Sequence, residues 1–171
     1  GWVLNEQLNR MEPQREETYL RGQLEWDASE TLQINLKAES AQFDSYGYAM
    51  EALAPQDGYG LVFAGPIAVE TDEDWVRASG DVQSINEMSN FVLTANYDWN
   101  GYTLTSITGY VDYKTDELLD VDYVGLEILD RTNQSEDYTQ WSQELRIASP
   151  GDEKINFIAG VFFQSGDADV T

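Results

Sequence analysis

The amino-acid sequence predicts an all-β chain folded as an antiparallel up-and-down meander, and three observations carry that prediction. The first is strict period-two alternation of apolar and polar residues, the mark of a sheet with one greasy and one wet face. The second is turn chemistry between paired stretches, clearest at Asn100-Gly101, where both positions tolerate positive φ. The third is a rhythm of strand, tight turn, strand and long loop that recurs along the chain.

Taken in order, residues 1–5 read as the tail of a strand, and residues 6–17 as a polar loop broken by Pro13. Residues 18–26 alternate, with Leu20, Leu24 and Trp26 on one face and Arg21, Gln23 and Glu25 on the other. A polar turn at 27–30 leads to residues 31–39, where Leu32, Ile34, Leu36 and Ala38 oppose Gln33, Asn35, Lys37 and Glu39. The pattern then lapses over 46–89, which holds Pro55, Pro66, several glycines and the acidic run 70–74. Stretches of that length without structure are normally functional or disordered. Alternation returns at 91–99, with Phe91, Leu93, Ala95, Tyr97 and Trp99 in phase. The Asn-Gly turn follows, then a return strand over 102–114, blurred around 106–109 as a bulge would blur it. Residues 117–137 form a second long, acidic loop. The last hairpin joins 138–148 to 155–164 through a tight turn at 149–152, and residues 165–171 read as a polar tail.

Composition narrows the function classes. The chain has 171 residues, enough for one domain with a core. Its net charge of −23, from 32 acidic and 9 basic residues, leaves nothing to neutralise phosphates, so no nucleic-acid partner is expected. Such a surface suits cationic partners, divalent ions or plain solvation. There is no cysteine and no histidine, which excludes zinc, haem and iron–sulfur ligation, a thiol nucleophile and a Ser-His-Asp triad. We therefore expect no enzyme and no cofactor. No apolar run is long enough for a transmembrane helix. Residues 1–5 carry neither a start methionine nor a signal-peptide pattern, and we expect the chain to belong to something longer.

A meander with short turns at one end and long loops at the other is the layout of outer-membrane barrels, whose strands of about 9–11 residues cross the hydrocarbon. Trp26, Trp99, Tyr102 and Tyr97 lie beside the tight turns, where an interfacial aromatic girdle would sit. Soluble sheets also carry aromatics at strand ends.

Specific stretches extend this reading. Trp141-Ser142-Gln143-Glu144-Leu145-Arg146-Ile147-Ala148-Ser149 is followed by Ile158-Ala159-Gly160-Val161-Phe162-Phe163-Gln164. Tyr102-Thr103-Leu104-Thr105-Ser106-Ile107-Thr108-Gly109-Tyr110 follows the Asn-Gly turn, and Leu20-Arg21-Gly22-Gln23-Leu24-Glu25-Trp26 precedes the first turn. In their order and spacing over residues 18–164 these resemble the β-barrel of a TonB-dependent outer-membrane receptor. The resemblance implies a barrel of about 22 strands with a plugged lumen, or roughly 220 residues at ~10 per strand. Residues 1–171 would then be a partial barrel of six strands, or seven if residues 1–5 count, without the plug domain or the TonB box. It further implies a Gram-negative outer-membrane location, contact with outer-membrane lipid, and dependence on the protein's own plug and the TonB energy-coupling system. The imported nutrient would be a ferric siderophore, cobalamin, haem, an oligosaccharide or a metal ion. The tight turns would be periplasmic and the long loops extracellular. Leu20, Leu24, Leu32, Ile34, Leu36, Phe91, Leu93, Leu145, Ile147, Phe157 and Val161 would face lipid. Arg21, Gln23, Asn35, Lys37, Asn96, Glu144 and Arg146 would face the lumen.

Candidate site residues are few. Glu70, Asp72, Asp74, Asp120 and Asp122 could supply oxygens to Ca²⁺, although their spacing does not match an EF-hand. Carboxylate pairs also suit glycoside hydrolysis, but among so many acids they arise by chance. Tyr59, Trp75 and Tyr123, with Tyr46, Tyr48 and Phe63, could stack on a ligand or pack the loops together. Glu144 and Arg146 share a strand face, as a contact to the plug or as a wall ion pair. Two other readings stay open. One is a soluble acidic all-β module binding carbohydrate, which would bury the Leu32/Ile34/Leu36 face. The other is a complete small outer-membrane barrel of structural or adhesive type, which would close residues 1–5 against 155–164.

Overall fold

The computed structural model describes residues 1–50, 74–121, 132–151 and 154–171. The chain is all-β, with no helix among these residues. Among them nine strands run in the order β1 (Val3–Asn5), β2 (Arg10–Glu12), β3 (Gln14–Asp27), β4 (Leu32–Tyr46), β5 (Val76–Arg77), β6 (Gln83–Trp99), β7 (Tyr102–Leu119), β8 (Thr132–Ala148) and β9 (Ile158–Val170). Six of them form one sheet in the order β3-β4-β6-β7-β8-β9, the predicted meander. The sheet is not closed: β3 and β9 are its edges. The remaining three make a small sheet, β2-β1-β5, in which β1 pairs antiparallel with β2 and parallel with β5.

The chain divides into two compact units. The first comprises Gly1–Glu17, Phe43–Ile85 and Thr115–Ser135, and the second Thr18–Gln42, Asn86–Lys114 and Glu136–Thr171.

In the second unit the turn residues behave as their chemistry requires. Asn100 and Gly101 both take positive φ, 50° and 86°, which matches the right-handed twist of the flanking strands β6 and β7. β3 and β4 are joined across residues 28–31, where the Leu32 carbonyl accepts from Ala28 N and Ser29 N at 2.9 and 3.2 Å.

Several expectations need correction. Residues 6–17 are not a loop, because they contain β2 and the start of β3. Residues 1–5 do not join the meander, since β1 belongs to the small sheet. The tight turn expected at 149–152 is a longer connection, closed by Ser149 N donating to the Phe157 carbonyl at 2.9 Å. Residues 165–171 are no loose tail, for β9 pairs with β8 up to Glu136↔Val170. β7 runs unbroken through 106–109. Strands β4, β6, β7 and β8 all overrun their expected loop-side ends, shortening the loops expected at 46–89 and 117–137. One physical reason covers the overruns. Ladder hydrogen bonds are made by the backbone and continue where both faces turn polar, whereas hydropathic alternation fades there.

Candidate functional site

In the second unit, side-chain contacts sort the strand residues onto two faces. One face is a hydrogen-bonded polar network. Glu39 on β4 collects the Tyr19 hydroxyl at 2.6 Å, Lys37 Nζ at 2.9 Å and Asn90 Nδ2 at 2.9 Å, with Arg21 Nε at 3.6 Å. Around it, Gln23 donates to Asn35 and Gln33 to Glu25 and Asp27. Further along the sheet, Thr105 donates to Asn96 at 2.8 Å. Arg146 forks onto Glu144, with Nε and Nη2 at 2.5 and 3.2 Å from its two oxygens. Every residue expected on the wet face thus stands in phase with this network.

The opposite face is apolar and open. Leu20 is 67% exposed, Leu24 62%, Val161 69% and Leu145 50%. Aromatic rings gather at its turn end, where Trp99, Tyr102 and Phe157 form a chain with centroids 6.3 and 6.4 Å apart. Trp141 and Phe163 make a second pair at 5.8 Å. Among the polar residues on this face, Gln143, Ser106 and Thr108 satisfy one another. Gln143 Nε2 donates to Ser106 Oγ at 3.0 Å and to the Glu144 carbonyl at 3.1 Å, while its Oε1 accepts from Thr108 at 2.7 Å. The expected blur at 106–109 is therefore a polar patch on a continuous strand.

The first unit is built the other way round. Glu12, fully buried, lies between Arg10 Nε at 2.7 Å and Arg77 Nη2 at 2.6 Å. The Arg77 contact is an ion pair by distance, without the alignment of a hydrogen bond. Asn5, also fully buried, donates to Glu12 and to the Ser79 carbonyl at 3.2 Å. Burial works against the Arg10 charge, but hydrogen bonds to Glu12 and Asp81 outweigh it and raise its pKa above the ordinary arginine value. Gly47 sits at φ +81° against the Glu12 side chain, where a Cβ would collide. The Tyr48 ring stacks on the Arg77 guanidinium at 5.0 Å.

The candidate metal and ligand residues fall in this unit. Asp120 is buried, and its Oδ2 accepts from Gly80 N at 2.8 Å while Tyr48 Oη bridges its backbone. Asp74 Oδ1 accepts from Val76 N at 3.0 Å, capping the start of β5. Trp75 is half exposed at φ 63°, and its carbonyl receives Leu4 N. Glu70, Asp72, Asp122, Tyr59, Phe63 and Tyr123 lie outside the described residues. Among the described residues no group of three or more acidic side chains is arranged to hold a metal ion. Sequence reasoning missed the Glu12 cluster and the convergence on Glu39. Only the Arg10-x-Glu12 spacing, which puts both on one strand face, could have signalled the former. Compared with known proteins, the chain matches no family model and no curated protein.

Proposed function

We propose that the six-stranded sheet is part of the wall of a TonB-dependent outer-membrane receptor, its apolar face against lipid and its polar face toward the lumen. In this reading the protein imports a scarce nutrient. One observation carries the membrane part: the apolar face is exposed. Leu24, Leu93, Leu145 and Val161 are between 43% and 69% exposed, while among the described residues the buried hydrophobic ones are Val3, Ala41 and Val82, none of them from the predicted lipid face. A soluble sandwich would bury that face, at roughly 25 cal/mol per Å². Two unpaired edges, β3 and β9, also suit a segment of a larger wall better than a finished soluble sheet, because open edges invite aggregation. A complete small barrel fits less well, since β1 pairs with β2 and β5 and not with β9.

The receptor identity and the nutrient class rest on the sequence resemblance. The test is to isolate outer membranes and wash them with high salt and alkali. Release of the protein only by detergent, with saturable binding of one ligand from a panel of ferric siderophores, cobalamin, haem and oligosaccharides, is the expected result. Recovery in the aqueous extract, with binding to carbohydrate alone, would replace this reading with the soluble module.

A further inference from the structure

The outward, apolar phase of the sheet changes character partway along the strands. Starting from the tight turns, no outward position in the second unit is charged until Glu87 on β6, Asp112 on β7, Asp137 on β8 and Asp167 on β9. The inward phase carries charge from the turn onward, at Asp27, Asp98 and Arg146. The change is therefore a property of one face, not of the strand ends.

Aromatic rings mark the place where it happens. Trp141 meets Phe163 at a tilt, and the same cross-strand spacing that joins Thr108 to Gln143 and Lys114 to Asp137 puts Tyr110 beside Trp141. Immediately beyond, Lys114 Nζ and Asp137 Oδ1 form an ion pair at 3.1 Å, with both side chains more than half exposed, 55% and 57%. A charged pair held open in that way belongs in water, not hydrocarbon. The uncharged stretch from Tyr102 to Asp112 is about 33 Å of strand, which rises about 25 Å at a tilt of about 40° and matches the apolar band of a transmembrane barrel.

We infer that lipid contacts only the turn-proximal part of the outward face, with its loop-side boundary at the row of Tyr110, Trp141 and Phe163. From Asp112, Asp137 and Asp167 onward the strands stand in water on both faces. This rests on the membrane reading above, and deepens it by fixing the depth and the asymmetry of immersion. The polar patch of Ser106, Thr108 and Gln143 falls inside the lipid zone, where mutual hydrogen bonding lets it stay.

Residues 1–171 contain no cysteine, so an introduced thiol is the only one among them, and any cysteine elsewhere in the full protein is first replaced by serine. Leu93→Cys, Leu104→Cys and Leu145→Cys would be compared with Glu87→Cys, Asp112→Cys and Asp167→Cys in the full protein, in opened native membranes. The probe is a charged, membrane-impermeant maleimide. The charged-site thiols are expected to react at least about tenfold faster than the leucine-site thiols, because a thiol in hydrocarbon is shielded from an aqueous reagent. Fluorophores at Leu93 and Leu145 should also be quenched by acyl-chain-brominated lipid, and one at Asp112 should not. Fast labelling at all six sites, without quenching, would sink the membrane reading and this inference together. Slow labelling and quenching at all six would leave the membrane reading standing and overturn the boundary.

Discussion

The two units solve opposite burial problems. Among the described residues of the first, the largest fully buried side chains are Glu12, Asn5, Ser79 and Val3, three polar and one apolar. Among the described residues of the second, the single buried hydrophobic residue is Ala41, and large apolar side chains stand on the surface. A unit that buries a carboxylate between two guanidinium groups must keep the opposite charges in contact, since unpaired buried charge is far more costly than unpaired polar surface. A sheet that exposes leucine and phenylalanine in phase calls for an apolar covering, which lipid would supply in the reading proposed above. The comparison teaches that burial alone does not locate the functional surface. In the proposed reading that surface is where the hydrophobic residues are exposed together.

The largest effect expected is at the inverted core. Glu12→Ala leaves Arg10 and Arg77 without their shared partner, and breaking a buried pair from one side costs about 3–5 kcal/mol. Denaturant unfolding of the detergent-folded protein reads the loss, and limited proteolysis should place new cleavage within residues 74–82. A loss below about 1 kcal/mol would mean that water reaches the cluster and the contrast between the units is overstated.

Next comes the outward face. Leu145→Arg, between the two aromatic rows, should destabilise the folded protein in bilayers by about 2–4 kcal/mol, whereas Asp167→Arg should cost about 0–1 kcal/mol. Equal costs at the two sites would erase the boundary. Within the same zone, Gln143→Leu removes the acceptor of Thr108 and the donor to Ser106. Interhelical hydrogen bonds in bilayers average about 0.6 kcal/mol, so a net loss near 1 kcal/mol is expected here, measured against Ser142→Ala on the other face. A gain in stability would show that the patch is tolerated rather than stabilising.

How much of this was legible follows from which signal each feature leaves. The Leu32, Ile34, Leu36 and Phe91, Leu93 phases are period-two patterns, and the strands they predicted are present. Asn100-Gly101 carried its turn in its own chemistry. The loop-side ends of β6, β7 and β8, residues 83–90, 115–119 and 132–137, were not legible, because charges such as Glu87, Asp116 and Asp137 break the alternation while the ladder persists. The short strands β2 and β5 were missed because two or three residues give no period, while β1, read as the tail of a strand, is one but belongs to a different sheet. Their sheet forms through contacts some seventy residues apart in sequence, such as Leu4↔Val76. The buried site in the first unit was hidden for the same reason. Glu12 and Arg77 look like ordinary surface charges until β1 and β5 bring them together.

The smallest effect expected is at Glu144 and Arg146, the pair for which sequence left two roles open. Their geometry is a bidentate fork, but the side chains are 31% and 45% exposed, and a solvated pair contributes about 0–1 kcal/mol. A double-mutant cycle with Glu144→Ala and Arg146→Ala should return a coupling in that range, weakening as salt is added. If each group instead holds a second partner across the lumen, the single variants in the full protein will each cost more than the pair can account for. A cost of more than about 2 kcal/mol from Arg146→Ala, with little coupling to Glu144, would therefore favour contact with the plug over a wall ion pair. A small, salt-sensitive coupling would leave the pair as part of what keeps the inner face wet, in the same way that the network around Glu39 does.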